Sequence, residues 1–209
     1  IIDGNHNFTV VRINMSYVEI TGFTIQNSGD FPFCGIGMWR SNEVTINNNI
    51  IKRNFYGIEL RKCQNVTVSN NIIAENSYAG VHVSDSDSNF LICNTIANNF
   101  IGVWIDICDL PSTLYHNDFC NNTDQVWSLG TARWDNGYEG NYWSDYMGLD
   151  DGTNGRPRGD GIGDTNLPHQ GVDHFPIIAP KHAIPVIWAN TIYLVHLTSN
   201  STVASFDFI

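Results

Sequence analysis

One phrase recurs along this chain at intervals of about 22 or 23 residues, and that period limits the fold more than any other feature. Val44-Thr45-Ile46-Asn47-Asn48-Asn49-Ile50-Ile51 aligns with Val66-Thr67-Val68-Ser69-Asn70-Asn71-Ile72-Ile73. The frame returns at Leu91-Ile92-Cys93-Asn94-Thr95-Ile96, and in weaker form at Leu114-Tyr115-His116-Asn117-Asp118-Phe119. A second phrase follows each copy: Gly57-Ile58-Glu59-Leu60, Gly80-Val81-His82-Val83 and Gly102-Val103-Trp104-Ile105. Upstream, Gly35-Ile36-Gly37-Met38 is an earlier copy, and Val18-Glu19-Ile20 with Phe23-Thr24-Ile25 supplies a degraded turn.

A unit of this length cannot bury its apolar face alone, but stacked units make a continuous core. Short alternating strands at this period fit one coil of a parallel β-helix. A leucine-rich repeat has a similar period, but its Leu-x-x-Leu-x-Leu frame is absent. Alternation sends Val44, Ile46 and Ile51 inward and Thr45 outward. The expected fold is all-β: a right-handed parallel β-helix of about five to six coils over residues 1–126. A Gly/Asp/Trp-rich irregular segment follows over 127–182, then C-terminal strands over 183–209. Val44, Val66 and Leu91 or Phe90 should stack in one sheet.

Composition agrees. The chain holds 26 Asn and 18 Gly, which favour turns over helices, so an α-helical protein is excluded. Asn49, Asn71, Asn94 and Asn117 fall in one register, and Asn54, Asn76, Asn99 and Asn122 in another. At a strand spacing of about 4.8 Å each amide can bond the next and form a ladder. The plainer alternative is that Asn only supplies turn conformations. A net charge of −11 excludes a nucleic-acid partner, because phosphate backbones would repel it. No apolar run approaches the roughly 18 residues of a membrane span. With 42% hydrophobic and 15% charged residues, the chain is not a disordered acidic tail either.

The phrase V-x-I-x-x-N-x-I-x-x-N…G-I-x-L resembles the right-handed β-helix repeat of NosD-type and carbohydrate-binding/sugar-hydrolase proteins, over roughly residues 15–126. That scaffold serves lyases, hydrolases, adhesins and inert surface proteins alike, so it implies a fold and no single activity. Beyond residue 127 the period stops. Gly140–Tyr146 (G-N-Y-W-S-D-Y), Asp160–Thr165 (D-G-I-G-D-T) and Asp173–Pro176 (D-H-F-P) resemble the segment that follows the coils in archaeal secreted NosD-like proteins. The resemblance implies an extracellular or cell-surface location. The chain opens at Ile1-Ile2-Asp3-Gly4 and closes at Phe206-Asp207-Phe208-Ile209, both strand-like, so a mature or partial secreted chain is expected.

Short Asp/Asn/Gly runs place several oxygen ligands on a tightly curved backbone, as calcium demands. Asp150, Asn154, Asp160 and Asp164 are therefore the candidate Ca²⁺ ligands, with Asp135, Asp145 and Asp173 in reserve. Asp150–Gly155 matches half of an EF-type loop without its closing Glu, and Arg156-Pro157-Arg158 interrupts the acidic run. An acidic, turn-rich surface loop is the alternative. Copper, which the NosD name implies, needs soft ligands; Met15, Met38 and Met147 with scattered His and Cys form no such motif.

Gly37, Glu59, His82 and Trp104 should form one outward column, with Trp39, Arg61, Ser84 and Asp106 beside it. Trp39, Trp104 and Arg61 are candidate sugar-binding residues. Glu59, His82 and Asp106 are weak catalytic candidates, because a glycosidase needs two carboxylates about 5–10 Å apart and two coils span that range. A solvated face of mixed polar residues is the bland alternative. The five Cys are odd in number; Cys63 and Cys108 share a column about 10 Å apart, beyond disulfide reach, while a Cys34 bridge to the next coil stays open. Sequons at Asn7, Asn14, Asn65, Asn121 and Asn200 permit glycosylation, with Asn65 at a coil corner the best placed.

The functional expectation is a non-enzymatic structural β-helix of the cell surface. Open solenoid ends, an odd Cys and C-terminal strands without a partner favour self-association into a filament or layer, or contact with other surface proteins. The strands of 183–209 resemble the start of an immunoglobulin-like domain. A polysaccharide-binding or polysaccharide-cleaving module working through the Glu59/His82/Trp104 face is the alternative.

Overall fold

The computed structural model describes residues 1–182 and the backbone of two further strands, 184–188 and 191–195. Among them there is no helix; the chain winds as a parallel β-solenoid of about six turns. Each turn visits three parallel sheets in order. The first contains β1 (Ile2–Asp3), β4 (Thr24–Gln26), β7 (Ile50–Lys52), β10 (Ile72–Ala74), β13 (Thr95–Ala97), β16 (Asp118–Cys120) and β19 (Tyr142–Trp143). The second contains β2 (Val11–Ile13), β5 (Cys34–Trp39), β8 (Tyr56–Arg61), β11 (Ala79–Ser84), β14 (Ile101–Ile105) and β17 (Asp124–Ser128). The third contains β3 (Glu19–Thr21), β6 (Thr45–Asn47), β9 (Thr67–Ser69), β12 (Phe90–Ile92), β15 (Ser112–Tyr115) and β18 (Ala132–Arg133).

Alternation along these strands produces inward columns of like residues. Ile25, Ile51, Ile73, Ile96, Phe119 and Trp143 stack inside the first sheet. Ile36, Ile58, Val81 and Val103 do so in the second, and Ile46, Val68, Leu91 and Leu114 in the third. All are buried, so each coil removes the apolar face of its neighbours from water. Val44 and Val66 stack as expected, but the next residue in that column is Asn89, whose Oδ1 accepts the Val66 N–H at 2.9 Å. Leu91 lies instead beside Val68, and Phe90 beside Thr67 with its ring partly in solvent. A polar residue can occupy this core edge because it satisfies a backbone donor there.

Both asparagine registers are hydrogen-bonded ladders. Oδ1 of Asn71 accepts from the main-chain N and the Nδ2 of Asn49 at 2.9 and 3.1 Å. The pattern repeats from Asn71 to Asn94, Asn94 to Asn117, and Asn117 to Asn141. Asn54, Asn76, Asn99 and Asn122 do the same at the next corner. Ladder and turn are separate jobs done by adjacent residues: Asn48 and Asn70, each just before a ladder Asn, take the left-handed φ of 54°. Gly80 sits against the second ladder, where a Cβ would lie 2.7 Å from the Gly102 carbonyl and 2.9 Å from Asn99 Nδ2.

Strand pairing continues past residue 126 through β17, β18 and β19. The segment after it closes the C-terminal end of the stack. Trp143 lies face to face on Phe119, ring centroids 4.3 Å apart, with Trp134 packed against both. Buried Asp173 ties the closure together: Oδ2 accepts from Asn141 N and Trp143 Nε1 at 2.8 Å each, and Oδ1 from Phe175 N at 2.9 Å. The three phrases Gly140–Tyr146, Asp160–Thr165 and Asp173–Pro176 thus form one lid, with Ile162 and Ile177 bridging its last two. Of the C-terminal strands expected to lack a partner, the two described ones pair with each other, β20 (Ile184–Trp188) antiparallel to β21 (Thr191–Val195), while the strand expected over 201–209 lies outside the described residues.

Candidate functional site

The outward face of the second sheet carries the predicted column. Register places Arg12, Gly37, Glu59, His82, Trp104 and Trp127 in line, one per coil. Trp39, Arg61 and Ser84 form the second column. Asp106 follows the end of β14, half-buried, two coils from Glu59 and without a shared contact. Trp127 escaped the sequence reading because the Val/Asn phrase fades there, yet it keeps the same 23-residue offset from Trp104.

Glu59 is the polar centre. Oε1 lies 2.9 Å from Arg61 Nη2 and 3.5 Å from His82 Nδ1, and Oε2 accepts the Cys34 thiol at 3.2 Å. Burial pushes its carboxyl up, but His82, Cys34 and Arg61 together outweigh this and hold it below the usual carboxylate range. Burial and the Glu59 charge push the Cys34 thiol far up, so it stays protonated and is no nucleophile. Burial first, then Glu59, pushes the Tyr56 phenol up to about 12. A glycosidic general acid needs a raised carboxyl pKa, the opposite of what Glu59 has.

Aromatic rings cover the rest of the face. His82 is buried between Tyr56 and Trp104, centroids 5.1 and 4.2 Å away, with neither ring nitrogen hydrogen-bonded. Trp104 meets Trp127 edge-on at 6.2 Å. Beside this row, Phe55 stacks on Tyr78 at 5.2 Å and Tyr78 leans on Phe100 at 5.8 Å. Each of these three directly follows a second-ladder position or its neighbouring Ser, a periodic signal that sequence reasoning missed. Trp39 stands 45% exposed, with Arg40, Arg61 and Lys62 all within 5.9 Å of its ring centroid. Between Arg12 and Glu59, the missing side chain at Gly37 leaves a cleft of about 420 Å³ walled by Trp39, Cys34 and Arg61.

The acidic loop brings Asp150, Asn154, Asp160 and Asp164 into one turn system and engages the three carboxylates internally, Asp164 Oδ1 excepted. Asp150 accepts from Gly161 N and Gly159 N, which hold its carboxyl below the usual range against a small opposing effect of burial. Asp164 Oδ2 accepts from Gly152 N, Asn154 Nδ2 donates to the Asp164 carbonyl, and Arg156 pairs with Asp160 at 3.1 Å. Asp135 bonds Gly137 N, Asp145 bonds Gln170 and His169, and Asp173 belongs to the lid. Among the described residues, no three His, Cys, Asp or Glu side chains are grouped so as to hold a metal ion. Asn7, Asn14, Asn65 and Asn121 are exposed, and Asn200 lies outside the described residues. All five cysteines are free thiols, Cys34 included.

A family described as "Periplasmic copper-binding protein (NosD)" matches residues 1–148. The chain belongs to the NosD family. That description is of a periplasmic family, which implies an envelope or extracellular location. Neither the search of curated proteins nor that of solved structures returned a match.

Copper, named in the family's description, finds no fitting group of soft ligands among the described residues. Met38 points into the core, away from Cys34 and His82 on the outer face. The carboxylate of Glu59, a hard ligand, stands between that thiol and that imidazole and is already engaged with the thiol. His116, His169, His174 and His182 each face a carboxylate elsewhere.

Proposed function

We propose that this NosD-family chain is a non-enzymatic envelope or cell-surface protein whose second sheet binds polysaccharide. The observation that carries this reading is the outward face of one parallel sheet, where Trp104 and Trp127 stand on adjacent coils and Trp39, in the neighbouring column three coils away, stands beside Arg61 and Glu59. The exposed rings of Trp39 and Trp127, with Trp104 between them in the stack, offer sugar units apolar surface, and the flanking charged groups offer hydrogen bonds to hydroxyls. Glu59, held ionised by His82, Cys34 and Arg61, accepts such bonds better than it donates a proton, so binding without cleavage is the reading favoured. Assembly by end-to-end stacking draws less support, because the chain's own lid fills the C-terminal end with Trp134 and Trp143.

Affinity electrophoresis through gels containing soluble polysaccharides tests this. Retardation by at least one polymer is expected, weakened about tenfold or more by Trp104→Ala, since loss of one stacking platform costs on the order of 1–2 kcal/mol. Unchanged migration across a broad panel overturns the reading. Sugar release from any polymer would instead make the face catalytic.

A further inference from the structure

We infer that the cleft over Gly37 is a subsite for an acidic sugar, so that the polymer bound is a uronate-bearing polysaccharide. This rests on the polysaccharide reading and adds the chemical class. The chain has only ten Lys and Arg against 21 Asp and Glu, yet Arg12, Arg40, Arg61 and Lys62 gather at this one place. Arg61 is matched by Glu59, whereas Arg12, Arg40 and Lys62 are exposed and make no ion pair among the described residues. In an otherwise acidic protein, three uncompensated cations around an exposed Trp form a local anion site on a sugar-sized platform.

The polarity is confined to one end of the sheet. Arg40 and Lys62 occupy the corner just past β5 and β8; on the next coil the same corner carries Asp85, and Asp106 and Asp109 follow one coil later. The positive field therefore ends within one coil of the cleft. A ring stacked on Trp39 would set a carboxylate towards Arg12, Arg40 or Lys62, while its hydroxyls face Glu59. The glycine at position 37 makes the pocket: a Cβ there would come within 3.2 Å of Thr9 Cγ2 and 3.5 Å of Cys34 Sγ, taking up the floor.

The experiment compares polygalacturonate with the same polymer after its carboxyls are reduced to neutral hydroxymethyl groups. Binding of the whole chain should be about tenfold tighter to the acid form, and the difference should vanish near 0.5 M salt, where the Debye length is about 4 Å. The double variant Arg12→Gln/Lys62→Gln should bring the two polymers to about equal affinity. Trp104→Ala, away from the cleft, should weaken both alike. Equal binding of both forms by the unmodified chain overturns the acidic subsite and leaves polysaccharide binding standing. Retention of neither form overturns both. Single-stranded DNA bound as tightly as polygalacturonate overturns the sugar as occupant, and a preference that survives high salt overturns the role given to the cations.

Discussion

Replacing Asp173 with Ala should open the C-terminal lid, and the structure allows the size of the effect to be worked out. The carboxylate accepts three hydrogen bonds, from Asn141 N, Trp143 Nε1 and Phe175 N, and is fully buried. Each buried donor left without an acceptor costs about 1–3 kcal/mol. Because the three share one anchor and relax together, they do not add fully, and a total near 3–5 kcal/mol is expected. Asp173→Asn keeps one oxygen, enough for Asn141 and Trp143, but turns an amide N–H₂ towards the Phe175 N–H. Its cost should be about 1–2 kcal/mol. In a stack of coils the loss is local: the last turn should fray first. Urea unfolding followed by tryptophan fluorescence, with hydrogen exchange at Asn141, Trp143 and the first ladder, reads both effects. A loss under about 1 kcal/mol for Asp173→Ala, with protection at Asn141 unchanged, would refute the reasoning.

Three further outcomes follow from the same contacts. Asn94→Ala strips the acceptor from Asn71 N and the donor from the Val68 carbonyl in a fully buried site, at a cost of about 2–4 kcal/mol, whereas Asn70→Gly at the exposed left-handed corner should be nearly neutral; denaturant midpoints compare them. Glu59 has a lowered folded pKa, so its stabilising contribution is present above about pH 4.3 and is lost as pH falls through the folded value; stability curves of the native chain and Glu59→Gln should converge between pH 7 and pH 3, and parallel curves would contradict the assignment. Calcium in the acidic loop is tested by chelation: with its carboxylates already bonded to Gly152, Gly159, Gly161 and Arg156, EDTA should leave the melting temperature unchanged, and a rise of several degrees on adding calcium would mean that the buried, unpartnered Asp164 Oδ1 takes a ligand.

Much of the scaffold was legible because a solenoid writes its core many times over. Asn49, Asn71, Asn94 and Asn117 carry the same amide in the same bond, so spacing alone exposes the ladder. Asn141 closes that ladder 24 residues after Asn117, one residue beyond the period, but the apolar phrase around it is replaced by Gly140 and Tyr142-Trp143, which hid the rung from a motif search. The lid was visible as three phrases without a purpose. Their joint role depends on Asp173 reaching 32 residues back to Asn141, a contact that no local pattern encodes. Asp150 and Asp164 read equally well as metal ligands or as acceptors for glycine N–H groups, because both uses put Asp and Gly on a tight curve.

The outward columns explain why the fold could be read so much further than the function. An inward position must repeat, because Ile58 packs on Ile36 and Val81 and tolerates little else between them. An outward position on the same strand carries no part of the apolar core, so Arg12, Gly37, Glu59, His82, Trp104 and Trp127 differ in kind from coil to coil while the stack beneath them repeats. Chemistry in such a protein lies where the repeat is broken. Gly37 breaks it by leaving a gap, Glu59 by a half-buried charge matched by Arg61, His82 and Cys34, and His82 by an imidazole sealed between two rings without a hydrogen bond. Substitutions at the column's exposed members, Arg12 and Trp127, should therefore alter ligand choice at small cost in stability, while changes of equal size on the inward side, at Ile36 or Ile58, should unfold the coil before they alter what it binds.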